Sequence, residues 1–303
     1  MSLPMFPTHY VLNPSINRDL IDIPFYCWHP IGSGATGTVH KVSDRAAVKI
    51  PHDSHHAQDL EWEHTVYLVL GVCPRIVGFG GIHSYGLILE YHPHGTVREF
   101  LHVRDKGLKT EDLFKWAIQI TEGLNFIHGA DLVQADVSLA NVLIKEDRDV
   151  VLCDFASSQY KGRPIPKMTY EVRASRPSPD HCYQIADDLF ALGSAIYEME
   201  TGHGPYHRKS DNQVKKLYAK GDFPSTRGLK LRNVIEKCWH VDYYEAQEVL
   251  DEIRSVEREW KNSFSQNKFS SMIKSVFGSI FRKSSGKEKE DTKGKGKRRI
   301  REV

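Results

Sequence analysis

A chain of 303 residues, 40% hydrophobic with a formal charge of +2, is long enough and apolar enough to bury a large core, which excludes a fibre or a wholly disordered polymer. Its five cysteines (Cys27, Cys73, Cys153, Cys182, Cys238) are odd in number and form no Cys-x-x-Cys pair, and its 16 histidines read as surface or hinge residues, so neither a disulfide framework nor a zinc site is expected. Met1 to Asn13 lacks a basic start followed by an apolar run, and no stretch approaches the roughly 20 apolar residues of a membrane span, so a cytoplasmic chain is the expectation.

Residues 1–24 show no periodicity and read as an irregular lead-in. Phe25 to Ile31 reads as a short strand, and Ile31-Gly32-Ser33-Gly34-Ala35-Thr36-Gly37-Thr38-Val39 follows as a glycine-rich turn between two strands. Ala46-Ala47-Val48-Lys49-Ile50 is the next strand, closed by Pro51. Leu60, Glu63, Val66, Tyr67 and Leu70 recur at helical spacing, and residues 76–91 hold two more apolar runs split by His83-Ser84-Tyr85-Gly86. This half reads as a five-stranded sheet with one helix.

Past the linker Glu90-Tyr91-His92-Pro93-His94-Gly95, helical patterns take over. Leu113, Ala117, Ile120, Leu124 and Ile127 form the clearest stripe, Asp187 to Met199 gives a strongly apolar helix, and Val234 to Trp260 gives two more joined near Val241-Asp242. A sheet-rich segment before a helix-rich one is the α+β layout. The expected boundaries are 25–91 for the sheet lobe and 92–260 for the helical lobe, with 261–303 as a tail.

Glycines at 32, 34 and 37 let the backbone approach phosphates and present amide hydrogens to them, although a hairpin needing positive φ would use the same residues. Lys49 lies twelve residues beyond the last of these glycines. Further on, Asn141 lies five positions after Asp136, and Asp154 thirteen positions after Asn141. The stretch reads Gln134-Ala135-Asp136-Val137-Ser138-Leu139-Ala140-Asn141, then the apolar Val150-Val151-Leu152-Cys153, then Asp154-Phe155-Ala156.

This combination resembles the eukaryotic-type protein kinases, from about Cys27 to Val256. The resemblance implies a bilobal fold and a nucleotide site that takes ATP and Mg²⁺. Residues Ile31, Gly32, Ser33, Gly34, Ala35, Thr36, Gly37, Thr38 and Val39 would cover the phosphates and adenine, with Ala47 in the same pocket and Lys49 on the α- and β-phosphates. Glu90 and the backbone near His92 would meet the adenine edge, behind Leu89 as gatekeeper. Asp136 is implied as the base that accepts the substrate hydroxyl's proton, and Asn141 and Asp154 as the metal ligands. Lys49 needs a carboxylate partner; Glu63 lies on the packing face of its helix, whereas Glu61 would point about 160° away at 3.6 residues per turn, so Glu63 is the choice. Asp188-Leu189-Phe190-Ala191-Leu192-Gly193 resembles the start of the central helix whose aspartate braces the catalytic loop.

The chain also departs from that pattern. Gln134-Ala135-Asp136 stands where the family has His-Arg-Asp, so the arginine that grips a phosphorylated activation loop is missing and phosphorylation at Thr169 or Tyr170 is not expected to act by that route. Gln134 for histidine is expected to loosen the internal hydrophobic column. Ala156 replaces the glycine of Asp-Phe-Gly, and Ser138 stands where serine/threonine kinases place a lysine, which implies slow turnover. Ala-Pro-Glu is not recognisable in Ala174-Ser175-Arg176-Pro177-Ser178-Pro179-Asp180, and Ala246 takes the place of its partner arginine. These departures look like those of the kinase-like proteins of filamentous fungi. Two functions follow from the resemblance: a protein kinase acting on serine or threonine, or an ATP-binding scaffold without turnover.

The tail is distinct. Lys261 to Val303 carries 13 Lys/Arg against 4 Asp/Glu, leaving 28 against 35 in the body. Phe269, Met272, Ile273, Val276, Phe277, Ile280 and Phe281 form an amphipathic stripe over residues 266–283, fit either to pack on the helical lobe or to meet an anionic membrane surface or a partner groove. The run from Lys295 to Arg301 is compatible with nuclear import, and no sequence-specific nucleic acid partner is expected.

Overall fold

The computed structural model describes residues 24–104, 107–160, 171–177 and 183–263. The chain divides into two compact units, Met1–Arg254 and Ser255–Val303. The amphipathic stripe over 266–283, the basic run beyond it, Thr169, Tyr170 and Cys182 lie outside the described residues.

In the first unit, β1 (His29–Ser33), β2 (Gly37–Lys41), β3 (Ala46–Pro51), β4 (Phe79–His83) and β5 (Gly86–Glu90) form one antiparallel sheet in the order β1-β2-β3-β5-β4. Cross-strand partners share a face of a sheet. The register therefore sets Val39, Lys49 and Leu87 in one row and Lys41, Ala47 and Leu89 in the next, all on one side. The other side is apolar: Ala46, Val48, Ile50 and Ile88 pack with Trp28 and Val42. Gly37 and Gly86 allow this closeness, since a Cβ at either would collide with the carbonyl of Ile50 or of Lys49.

The sheet begins later than the sequence pattern suggests. Phe25–Cys27 forms a single 3-10 turn, because Cys27 and Trp28 donate back to the carbonyls of Pro24 and Phe25 and the chain folds over before it can pair. Pro30, which has no N–H to give the ladder, sits at a register shift on edge strand β1.

Helix α1 (His56–Leu70) is anchored by Asp53, whose Oδ1 accepts from the backbone N–H groups of His55 and His56 at 2.8 and 3.0 Å. It buries Leu60, Glu63, Val66, Tyr67 and Leu70 and ends at Gly71, where φ is +62°. A carboxylate inside that apolar stripe needs a partner.

Below the sheet lie α2 (Val97–Arg104), α3 (Thr110–Gly129), α4 (Ile185–Thr201), α5 (Asp211–Tyr218) and α6 (Arg232–His240), with another helix opening at residue 246. The fold is thus the bilobal α+β kinase architecture expected: a five-stranded sheet lobe with one helix, and a larger helical lobe. Helix α4 is the central one, buried continuously from Asp188 to Met199. Helices α2 and α5, eight residues each, escape the sequence reading because their apolar stripes are too short to declare a period.

Two short ribbons join the lobes' facing surfaces. β6 (Leu132–Val133) pairs with β9 (Gln159–Tyr160), and β7 (Val142–Ile144) pairs with β8 (Val150–Leu152). Arg75 to Val77 clasps β8 through the bonds Leu152 N to Arg75 O and Val77 N to Leu152 O, both 2.9 Å. In the second unit, residues 255–263 are helical.

Candidate active site

The β7–β8 hairpin explains the thirteen-residue spacing. Asn141 immediately precedes β7 and Asp154 lies two residues after β8, so the hairpin's open end brings them together, and Cys153 N donates to Asn141 O at 3.0 Å. Lys49 comes down from β3 to meet them. Its Nζ donates to Glu63 Oε2 at 2.7 Å and to Asp154 Oδ1 at 2.8 Å. Lys49 is 4% exposed and Glu63 fully buried, while Glu61 faces solvent.

Burial opposes the charge on Lys49, but the carboxylates of Asp154 and Glu63 outweigh it and hold the ammonium above its ordinary pKa. Burial likewise works against ionised Asp154, and Lys49 overcomes it, so that carboxylate stays below its usual range. Glu63 also accepts the Phe155 N–H through Oε1 at 3.3 Å, which ties α1 to the turn that carries Asp154.

Asp136 sits in a loop braced from beneath. Asp188 at the start of α4, 1% exposed, accepts the backbone N–H groups of Gln134 and Ala135, each at 2.8 Å, and its Oδ2 lies 2.9 Å from His128 Nε2. The bracing holds Ala135 at φ +62°, an uncommon conformation for a residue with a side chain. Asn141 Nδ2 donates to Asp136 O and Oδ2 at 2.9 and 2.8 Å, leaving its own oxygen free of that contact. Burial first, and repulsion from Asp154 second, raise the Asp136 pKa from 3.8 to about 6.

Gln134 does not loosen the interior as expected. Fully buried, its amide donates to Asp154 O at 3.3 Å while its oxygen accepts from Asp136 N at 3.1 Å, so one side chain bridges the loop of the candidate base and the turn of the candidate metal ligand. Above it Phe155 meets Tyr67 edge-on at 5.2 Å, and Tyr67 stacks on Phe79 at 5.0 Å, an intact aromatic column. Nothing in the sequence flagged this bridge beyond the substitution itself.

The glycine-rich turn covers the cluster. A Cβ on Gly34 would stand 3.9 Å from Asp154 Oδ2, and the turn is closed by Gly34 N to Gly37 O at 2.9 Å, with His52 Nε2 2.9 Å from Gly34 O. Ile31, Gly32, Ser33 and Ala35 are exposed, Thr36 is buried, and Thr38 Oγ1 lies 3.1 Å from His40 Nε2. Val39 and Ala47 share the Lys49 face of the sheet. Glu90 pairs with Ala46 on the opposite face, so its side chain points away, and together with His92, Lys41, Arg45 and Lys145 it lines a separate hollow of about 850 Å³.

Asp154 and Asn141 offer two hard oxygen donors, the kind of pair magnesium uses while phosphate oxygens and waters complete its shell. Among the described residues, no group of three His, Cys, Asp or Glu side chains is arranged to hold a metal.

Residues 171–177 are held by ion pairs. Arg98 Nη1 meets Glu171 Oε2 at 2.9 Å, Arg173 Nη1 meets Asp211 Oδ1 at 2.8 Å, and Arg176 Nε meets Asp187 Oδ1 at 2.8 Å. Arg176 therefore tethers this stretch to the start of α4, while Ala246 is a fully buried apolar residue.

A profile of the family described as protein tyrosine and serine/threonine kinase matches residues 27–249. Serine/threonine-protein kinase STY46 of Arabidopsis thaliana is 25% identical over 252 residues, covering 76% of this chain and 44% of the relative. Receptor tyrosine-protein kinase erbB-2 of Mus musculus is 25% identical over 269 residues, covering 79% and 21%. Serine/threonine-protein kinase 10 of the same organism is 27% identical over 216 residues, covering 64% and 22%. The chain thus spans less than half the length of these curated relatives. They come from a plant and a mammal; they set the chain in the family at large and do not tie it to the kinase-like proteins of filamentous fungi.

Proposed function

The chain belongs to the protein tyrosine and serine/threonine kinase family, and from that membership we propose that it transfers the γ-phosphate of ATP to serine or threonine hydroxyls of a protein substrate. One observation carries the reading: Lys49 Nζ lies within hydrogen-bond distance of both Glu63 and Asp154, at 2.7 and 2.8 Å. Phosphoryl transfer demands positioning and charge neutralisation more than covalent chemistry. Lys49, held by Glu63, steadies the α- and β-phosphates beneath the turn from Ile31 to Val39. Asn141 and Asp154 would hold magnesium, which when bound would supply positive charge to offset that of the phosphates. Asp136, steadied by Asn141, accepts the hydroxyl proton and aims the attacking oxygen; its pKa of about 6 leaves it ionised yet proton-accepting near neutral pH.

Ser138, 6% exposed, favours a second reading, an ATP-binding scaffold without turnover, because it brings no cation to the transferred phosphoryl group. Labelled γ-phosphate transfer to generic protein substrates, with Asp136→Asn as control, tests the proposal. Transfer by the wild type and not by the variant supports the kinase reading. Thermal stabilisation by ATP without transfer to any substrate leaves the scaffold.

A further inference from the structure

We infer that Trp62 is a positioning residue of the nucleotide site: its indole N–H holds the chain where it leaves the Asp154 turn, so that Lys49, Glu63 and Asp154 stay assembled with no phosphate on the protein. This rests on the kinase reading and states how that same site is kept in order.

Trp62 Nε1 donates to Ser158 O at 2.7 Å, across 96 positions of sequence. Half-buried on α1, Trp62 directly precedes Glu63, so neighbouring residues of one helix grip one short stretch. Glu63 Oε1 accepts from Phe155 N at 3.3 Å, and Trp62 takes the carbonyl of Ser158, three residues further on. Consecutive side chains leave a helix about 100° apart, so the two reach the stretch in different directions. Ser158 N donates back to Phe155 O at 3.0 Å, which closes Phe155 to Ser158 into a turn with both ends tied to α1.

The far side of that turn is fastened to the loop of the candidate base. Ser158 is 2% exposed, its Oγ donates to Gln134 O at 3.4 Å, and the next residue, Gln159, pairs with Val133 in the β6–β9 ribbon. Gln134 in turn bridges Asp136 N and Asp154 O. Trp62 is therefore where α1 enters a network that ends on Asp136, beside the charged contact that Glu63 makes with Lys49.

The charged trio does not hold itself together. Taking Lys49, Glu63 and Asp154 out of water offsets most of their attraction, and burial raises the Glu63 carboxyl above its ordinary pKa even with Lys49 beside it. Neutral bonds around the trio then decide whether α1 stays in place. The indole bond is such a contact, and without it the Ser158 carbonyl of a buried turn loses its donor. Because the tether carries no charge and position 135 is alanine, it gives a phosphate on the chain nothing to act through.

The test compares the full-length wild type with Trp62→Phe, which keeps an aromatic ring and removes the donor. Affinity for ATP with magnesium is read by calorimetric titration, and phosphate transfer is read in parallel. Affinity is expected to fall by about 3- to 10-fold, the worth of one neutral hydrogen bond expressed as a loss of the assembled fraction, and a fall below about threefold overturns the inference. Fewer binding sites at unchanged affinity mark a packing defect and overturn it too. In a Glu63→Gln background the same substitution is expected to change affinity by less than about twofold, since α1 then no longer acts on Lys49 through a charge; a full additional loss overturns the inference. If Trp62→Phe does not fold, phosphatase-treated wild type carries the test: it is expected to bind within about twofold of the untreated protein, and a many-fold weakening overturns the inference. Weaker binding by the variant with no phosphate transferred by the wild type sinks the kinase reading and leaves the tether. Transfer by the wild type with unchanged affinity in the variant sinks the tether alone.

Discussion

Asparagine in place of Asp136 should abolish chemistry and strengthen the fold. Burial and the Asp154 charge raise this carboxyl from 3.8 to about 6, so the folded protein holds the proton more tightly than the unfolded chain does. Its stabilising contribution is complete below the unfolded value and is lost as pH rises through about 6. Above pH 7 the ionised group costs about 2–3 kcal/mol, from roughly two pKa units at about 1.36 kcal/mol each. Asp136→Asn removes the charge yet keeps an oxygen to accept from Asn141 Nδ2. We expect the melting temperature to rise by about 4–10 °C at pH 8, given about 2–4 °C per kcal/mol for a domain of this size, and the gap to close towards pH 4. Transfer should fall by about 10²- to 10⁴-fold. Calorimetry between pH 4 and pH 8, free of nucleotide and with EDTA present, reads the stability difference. A variant no more stable than wild type at pH 8, or a gap that does not shrink in acid, refutes the electrostatic account. In the wild type the same group predicts an acid limb in the rate profile near pH 6.

Glu63→Gln should lower kcat/KM by about 10²-fold by removing the charge that steadies Lys49, whereas Glu61→Gln, on the exposed face, should leave it within about twofold; steady-state kinetics separate them. Gln134→Ala should cost about 1–3 kcal/mol in denaturant unfolding, since it leaves Asp136 N and Asp154 O without their buried partner. Phosphatase treatment should leave the transfer rate within about twofold, because residues 171–177 are fastened by Glu171, Arg173 and Arg176 rather than through an arginine at position 135. A many-fold loss that rephosphorylation restores would refute that.

Much of this site was legible because its parts are local signals. Lys49 sits in an apolar strand run, Glu63 falls on the stripe of Leu60, Val66 and Tyr67, and a short hairpin is what places Asn141 and Asp154 side by side at thirteen residues' separation. Residues whose role depends on distant partners left no such trace. Trp62 and Ser158 are 96 positions apart, and neither is unusual for a helix or a loop until the fold brings them to 2.7 Å. Gln134 was visible as a substitution, but that its amide reaches two loops depends on tertiary geometry. The start of β1 was misread because a turn closed by Pro24 and Phe25 carbonyls outcompetes strand pairing in an apolar run.

The arrangement around Lys49 also bears on the choice between kinase and scaffold. A lysine 4% exposed between two carboxylates is a poor way to stabilise a fold, since the desolvation of three charges offsets most of their attraction and apolar side chains of similar volume do as well. Asp154 is the exception within the trio: its side chain is 34% exposed while Glu63 is sealed, so the cluster presents one charged oxygen towards the glycine-rich turn. A purely structural pair would be complete with Lys49 and Glu63. The third, open carboxylate is what a polyphosphate carrying its cation requires, which is why ATP binding is common to both readings and turnover must be sought at Asp136 and Ser138.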